Sequence, residues 1–352
     1  VKEFWSKRIQ TMTPYTPGEQ PKDQTFIKLN TNENPYPPSQ QAQQAMQGAV
    51  GTALRLYPDP DGDALREAIC GVYGLKKTQV FVGNGSDEVL AFAVQAFFDG
   101  IPPVVFPDIT YSFYEVYAAL FGVDCRTIPL DEKFTIHPED YRGGNGGVLL
   151  ANPNAPTGIG LTREEIRALL EGNPDVVVLV DEAYVEFGGE TALPLIDAYP
   201  NLLVVRTLSK SHGLAGLRVG WAAGNENLIA GLNCLKNSFN SYTLDRLALA
   251  GAQAAIRDEG YMREIVSRII RTREKTAARL AEMGFSVCPS QANFLFAAHP
   301  KASGKALQDG LRTRGILVRR WDRPRISDYL RITIGTDAEM DALCAALKEL
   351  IP

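Results

Sequence analysis

The sequence predicts an α/β protein, a mostly parallel sheet flanked by helices with a smaller α/β unit after it, and three observations carry this prediction. Val176–Val180 and Leu202–Arg206 are continuous apolar runs of strand length, as expected of strands covered on both faces. From about residue 62 such runs alternate with longer amphipathic stretches, the texture of a parallel sheet with crossover helices. After about residue 245 the texture changes to one long charged helix and several shorter segments. A chain of 352 residues is long enough for a large core and for two lobes.

Residues 1–29 read as an arm, because Pro14, Pro17, Gly18 and Pro21 discourage regular structure. Asn32-Glu33-Asn34-Pro35-Tyr36-Pro37-Pro38 is turn and extended chain. Strands are expected at Gln79–Val82, Pro103–Phe106, Val123–Ile128 and Val148–Ala151, with helices at Asp87–Phe98 and Tyr111–Phe121. Thr162-Arg163-Glu164-Glu165 has the form of a capping box and opens a further helix. Arg263–Met283 reads as one long amphipathic helix, followed by short segments at Asn293–Ala297, Ile316–Val318 and Leu330–Ile334. The expected division is an arm over 1–29, a large unit over 30–245 and a small one over 246–352.

Composition narrows the function classes. Hydrophobic residues make up 45% and charged residues 22%, ordinary for a globular protein, and the net charge of -5 gives no footprint for nucleic acid or an anionic membrane. The five cysteines are scattered and never spaced as C-x-x-C, which suits reduced thiols and argues against a disulfide scaffold or zinc site. With three histidines, no histidine-rich metal centre is expected. No apolar stretch reaches the roughly 18 residues of a spanning helix. The opening Val1-Lys2-Glu3-Phe4 has no signal-peptide pattern and no initiator Met, leaving room for residues upstream. The expected location is the cytoplasm.

Open α/β sheets bind ligands beyond the carboxyl ends of their strands, so the residues just after each apolar run are the informative ones. Val82 is followed by Gly83-Asn84-Gly85-Ser86-Asp87, where glycines and the start of a helix favour a phosphate; a plain turn capped by Ser86 or Asp87 is the bland alternative. Val176–Val180 ends at Asp181, a carboxylate able to pair with a protonated pyridine nitrogen and so make the ring a better electron sink. Leu202–Arg206 leads to Ser209 and Lys210, a phosphate donor and an amine able to capture an aldehyde. Arg218 follows eight residues later as a bidentate phosphate clamp. The turn Asn152-Pro153-Asn154-Ala155-Pro156-Thr157-Gly158 closes the set. Each feature is weak alone. Their order and strand-tip placement make the combination strong.

These residues resemble the fold-type I pyridoxal-phosphate aminotransferases. The match runs over nearly the whole chain, from Met12-Thr13-Pro14-Tyr15 through Lys28–Pro35, Tyr57-Pro58-Asp59, Gly85–Glu88, Thr110-Tyr111, Asp181–Tyr184 and Ser209-Lys210 to Leu330–Thr336. The arm and closing motifs are most similar to the histidinol-phosphate aminotransferase branch. The resemblance implies pyridoxal 5'-phosphate as cofactor, with Lys210 as Schiff-base lysine and proton shuttle. It also implies Asp181 on the pyridine nitrogen, Tyr184 on the ring hydroxyl and Tyr111 on the ring face. Ser86, Asp87, Ser209 and Arg218 would hold the phosphate, and Tyr57 would reach the phosphate of a neighbouring subunit, making a homodimer with shared sites. Arg331 would take a substrate carboxylate, with Tyr15 and Arg319 at the substrate end. The implied reaction is ping-pong transfer from histidinol phosphate to 2-oxoglutarate in histidine biosynthesis, with no metal.

The chain departs from that pattern at Ala155, where the family has an Asn for the ring hydroxyl; Asn154 is expected to take over, with Tyr184 acting alone as the other option. Arg320, Arg323 and Arg325 read as a solvated basic loop. An aromatic amino-acid aminotransferase and a phosphothreonine-type decarboxylase are the rival activities on this scaffold. A cofactor-sensing regulator would need a DNA-binding domain, for which neither length nor charge leaves room.

Overall fold

The computed structural model describes residues 4–21, 25–99 and 102–352; the chain start at Val1 lies outside them. In chain order the described strands are β1 (Ile27–Leu29), β2 (Val80–Asn84), β3 (Val104–Pro107), β4 (Cys125–Ile128), β5 (Val148–Ala151) and β6 (Val178–Asp181). They continue with β7 (Leu202–Thr207), β8 (Val219–Gly224), β9 (Ser286–Val287), β10 (Phe294–Ala298), β11 (Ile316–Val318) and β12 (Tyr329–Thr333).

Seven of these form the central sheet in the order β2-β8-β7-β6-β5-β3-β4. All neighbours are parallel except β8, which runs antiparallel to both β2 and β7. Every residue of β5, β6 and β7 is buried, which is why these strands read as unbroken apolar runs. Successive side chains go to opposite faces. Val178, Val180, Leu202 and Val204 enter one core, and Leu179, Leu203 and Val205 the other. Helices Gly85–Phe97, Phe113–Phe121 and Glu226–Phe239 cover the second face; Asp63–Tyr73, Arg163–Glu171 and Arg246–Arg257 cover the first. The capping box at Thr162 is formed, with the Glu165 carboxylate accepting from the Thr162 amide at 2.7 Å.

The strand at β8 is absent from the sequence reading. Its residues Gly220, Ala222, Ala223 and Gly224 are small, so the run lacks the bulky β-branched signal of the other strands. The small residues serve a purpose. A Cβ on Gly220 would collide with the backbone of Gly85 and Ser86, so glycine there lets the start of helix Gly85–Phe97 lie against the strand.

The C-terminal part packs β12-β10-β9 antiparallel against helices Glu259–Glu282 and Asp337–Leu350 around a separate core. The arm is more ordered than its prolines suggest. Lys7–Thr11 is a short helix capped by Ser6, and β1 pairs in parallel with β11, Ile27 opposite Ile316 and Leu29 opposite Val318. The pairing decides this, because β1 satisfies its backbone only against a strand far along the chain.

Candidate active site

The carboxyl ends of β6 and β7 open into a cavity of about 300 Å3. Asp181, Tyr184, Ser86, Asp87, Tyr111, Ser209, Lys210, Arg218, Tyr15, Arg319 and Arg331 all line it. They come from segments spread over most of the chain, and the fold brings them to one place.

Arg218 sits at one end with its backbone in the left-handed region (φ 55°), a conformation that costs a non-glycine residue energy and that neighbouring structure must hold. Its guanidinium meets the Asp87 carboxylate at 2.8 Å and the Ser209 hydroxyl at 3.5 Å. Gly85, at φ 76°, admits it, since a Cβ there would strike the guanidinium. The free amides at the start of helix Gly85–Phe97 face the same space. Together they form an anion cradle.

Asp181, the last residue of β6, is buried and accepts from the Ala183 amide at 3.1 Å and, more weakly, from the Tyr114 hydroxyl at 3.4 Å. Among the described residues no cationic side chain pairs with it. Burial, with the Asp87 charge adding to it, pushes its carboxyl up to about 7. A buried carboxylate aimed into a cavity without a protein cation fits a cationic ring nitrogen.

Lys210 follows β7 and donates to the Thr31 carbonyl at 3.3 Å, with its Nζ 6.0 Å from the Tyr184 ring centre. Burial first, and Arg331 second, bring its amine down to about 8. The Tyr184 hydroxyl accepts from Asn32 Nδ2 at 2.9 Å, and the Tyr111 hydroxyl donates to Asp87 at 2.9 Å. Also lining the cavity, Arg319 and Arg331 lie directly across from each other through paired backbone bonds of 3.0 and 2.8 Å. Arg331 donates to the Asn30 carbonyl, and Arg319 to the carbonyls of Thr16 and Pro17. Among the described residues neither is paired with a carboxylate, and the buried Arg331 Nε has no partner. Tyr15 packs on Phe113 beside them, ring centres 4.3 Å apart.

The expectation for Asn154 is corrected. Its Oδ1 accepts from Thr110 at 2.7 Å, and its Nδ2 donates to the Ile109 carbonyl and to Thr157. The amide is spent on Thr157 of the turn and on the adjacent Ile109-Thr110 segment, and it is Ala155 that lines the cavity. The polar groups near Tyr184 come instead from Asn32 and Thr31, which sequence reasoning did not single out. The motif Asn32-Glu33-Asn34-Pro35 was the available signal, and Asn34 also donates to the Lys210 carbonyl at 2.8 Å.

Tyr57 is outside the cavity and 79% exposed, stacked on Tyr242 with ring centres 4.5 Å apart. The three remaining arginines of the basic loop are not simply solvated: Arg323 pairs with Glu115 at 3.0 Å, Arg325 with Asp108 at 3.2 Å and Arg320 with Asp322 at 3.1 Å.

Residues 24–347 match the family described as aminotransferase class I and II. The chain belongs to this family. The aminotransferase is 55% identical to the histidinol-phosphate aminotransferase of Marinomonas sp. (strain MWYL1) over 353 residues, covering 99% of this chain and 100% of that one. It is 50% identical to the histidinol-phosphate aminotransferase of Clostridium beijerinckii, covering 100% and 98%. Among solved structures, the Sinorhizobium meliloti histidinol-phosphate aminotransferase in complex with pyridoxal-5'-phosphate superposes with a TM-score of 0.90 at 27% identity, over 99% of this chain and 97% of that one. The L-threonine-O-3-phosphate decarboxylase of Porphyromonas gingivalis superposes at 0.79 with 21% identity, over 92% and 99%, a likeness of fold alone. No helix among the described residues is long and apolar enough to cross a membrane.

Proposed function

We propose that this aminotransferase uses pyridoxal 5'-phosphate to pass an amino group from histidinol phosphate to 2-oxoglutarate. The observation that carries the reading is the pair Arg319 and Arg331, two cations lining the cavity that have no carboxylate partner among the described residues. One suits the carboxylate of the 2-oxo acid and the other the phosphomonoester of the donor. The names and full-length similarity of the Marinomonas and Clostridium enzymes support the same donor.

The bound cofactor supplies an aldehyde for covalent capture of the amine and a ring that withdraws electrons from it. The rest is work for the chain. Arg218, Ser209 and the Ser86 and Asp87 amides would hold the phosphate, and Asp181 would pair with the pyridine nitrogen and favour its protonation. Tyr111 stays in place on the ring face through its bond to Asp87, and Tyr184 meets the ring hydroxyl, steadied by Asn32. Lys210 Nζ, its amine brought down to about 8, would be partly unprotonated and able to take the proton from the donor Cα. Arg331 and Arg319 fix the substrate so that this bond points at Lys210.

The working unit in this reading is a cytoplasmic homodimer. Tyr57 stacks on Tyr242 next to exposed Leu54 and Leu56, apolar surface suited to a second copy, from which it would reach the partner's phosphate. All five cysteines are free, as a reducing compartment requires. One assay tests the substrate: histidinol phosphate, phenylalanine and phosphothreonine are offered to the loaded enzyme, and oxo product and carbon dioxide are both followed. Oxo product from histidinol phosphate is the expected result; carbon dioxide from phosphothreonine, or preference for phenylalanine, overturns it.

A further inference from the structure

Lys236 is a lysine in an unusual place. It lies in the last turn of helix Glu226–Phe239, on the sheet side, and only 2% of it is exposed. A buried ammonium is costly unless hydrogen-bonded and paired, and an apolar side chain of similar length would pack there without that cost. What Lys236 does with its charge is specific. Its Nζ donates to the Pro60 carbonyl at 2.7 Å and meets Asp61 Oδ1 at 3.2 Å. Pro60 and Asp61 close the loop that carries Tyr57. The same loop is held by Arg246, which donates to the Tyr57 carbonyl at 3.1 Å, and by Asp59, whose carboxylate accepts from the amides of Asp61 and Asp63. Of these three fastenings, Lys236 alone is buried. The Tyr57 side chain at the start of this loop is largely exposed and stacked on Tyr242.

We propose that Lys236 is a positioning residue for the partner subunit's site: it holds the Tyr57–Asp61 loop at the height from which Tyr57 reaches the cofactor phosphate of the other chain. This rests on the shared-site reading above. Its consequence is that a defect at Lys236 belongs to the neighbour's cofactor, not to the cofactor bound by the same chain.

The measurement is the cofactor dissociation constant, followed by the absorbance of the lysine-linked cofactor. Lys236→Met dimers should bind pyridoxal 5'-phosphate about tenfold more weakly, the equivalent of one charged hydrogen bond. Should that variant fail to fold, Lys236→Gln, which keeps a donor and most of the packing, is expected to lose about threefold by the same contact. Hybrid dimers with Lys210→Ala subunits then locate the defect. Only the chain that retains Lys210 gives the signal, and its phosphate meets the intact loop of the Lys210→Ala partner, so affinity should return to the parent value. The matching hybrid of Tyr57→Phe with Lys210→Ala must show the same return. If it does not, the shared-site reading itself fails. If it does while the Lys236 hybrid stays weak, Lys236 acts within its own chain and the inference is overturned; parent affinity in the Lys236→Met homodimer overturns it as well.

Discussion

Replacing Asp181 with Asn should make the cofactor-free protein more stable while abolishing most of its turnover. The carboxyl is buried without a cation, and its value moves from an ordinary 3.8 to about 7. Between those values the folded protein holds a proton that the unfolded chain releases, so wild-type stability falls as pH rises from about 4 to about 7 and then levels off. A shift of that size corresponds to about 4 kcal/mol, a ceiling because water entry and relaxation around a buried charge return part of it. Asn preserves the shape. Its Oδ1 can accept from the Ala183 amide, and its Nδ2 can donate to the Tyr114 oxygen, whose hydroxyl rotates to suit. Urea unfolding of both cofactor-free proteins at pH 5 and pH 8 is the assay. The variant should gain on the wild type by about 2–3 kcal/mol more at pH 8 than at pH 5. With cofactor bound, Asn cannot keep the pyridine nitrogen protonated, and turnover should fall by orders of magnitude. A stability difference equal at both pH values would refute the account of Asp181 as an unpaired buried charge. Near-normal turnover would refute its pairing with the ring.

Lys210→Ala should lose nearly all turnover, and borohydride reduction of the loaded parent followed by peptide mapping should place the label on Lys210; a label on another lysine removes it from the mechanism. Arg319→Ala should raise the histidinol-phosphate KM by about tenfold to a hundredfold, the loss of a charged contact of roughly 1.5–3 kcal/mol, with dephosphorylated histidinol little affected. An unchanged KM would take the phosphate away from Arg319. Asn154→Ala should destabilise the protein by about 1–3 kcal/mol through the stranded Ile109 carbonyl and Thr110 hydroxyl, yet leave cofactor affinity near that of the parent. Asn32→Ala should weaken cofactor binding by loosening Tyr184 and also destabilise the fold, because Asn32 sits at φ 56° and its Oδ1 accepts from the buried Thr333 hydroxyl at 3.0 Å; parent cofactor affinity in this variant would take Asn32 out of the site.

The sequence by itself determined six of the seven strands of the central sheet and the residues at their tips. Continuous apolar runs mark β5, β6 and β7 because strands buried on both faces leave no room for polar alternation, and a charged residue directly after such a run must sit at the carboxyl edge. Asp181 and Lys210 are legible for that local reason, as is Ser86 at the first residues of a helix. The tertiary structure decided whatever depends on which distant groups satisfy one another. Asn154 and Ala155 are neighbours, and only the contacts of Asn154 with Ile109 and Thr110 determine that its amide turns away from the cavity. Asn32 becomes part of the site because a segment of extended chain passes 152 residues ahead of Tyr184 in sequence and 2.9 Å from its hydroxyl in space. Arg319, Arg323 and Arg325 are alike in sequence, yet Arg323 and Arg325 pair with Glu115 and Asp108 while Arg319 lines the cavity, bonded to backbone carbonyls and with no carboxylate among the described residues. Periodicity is a property of a few consecutive residues, whereas satisfying a buried polar group requires a partner whose position exists only once the chain has folded.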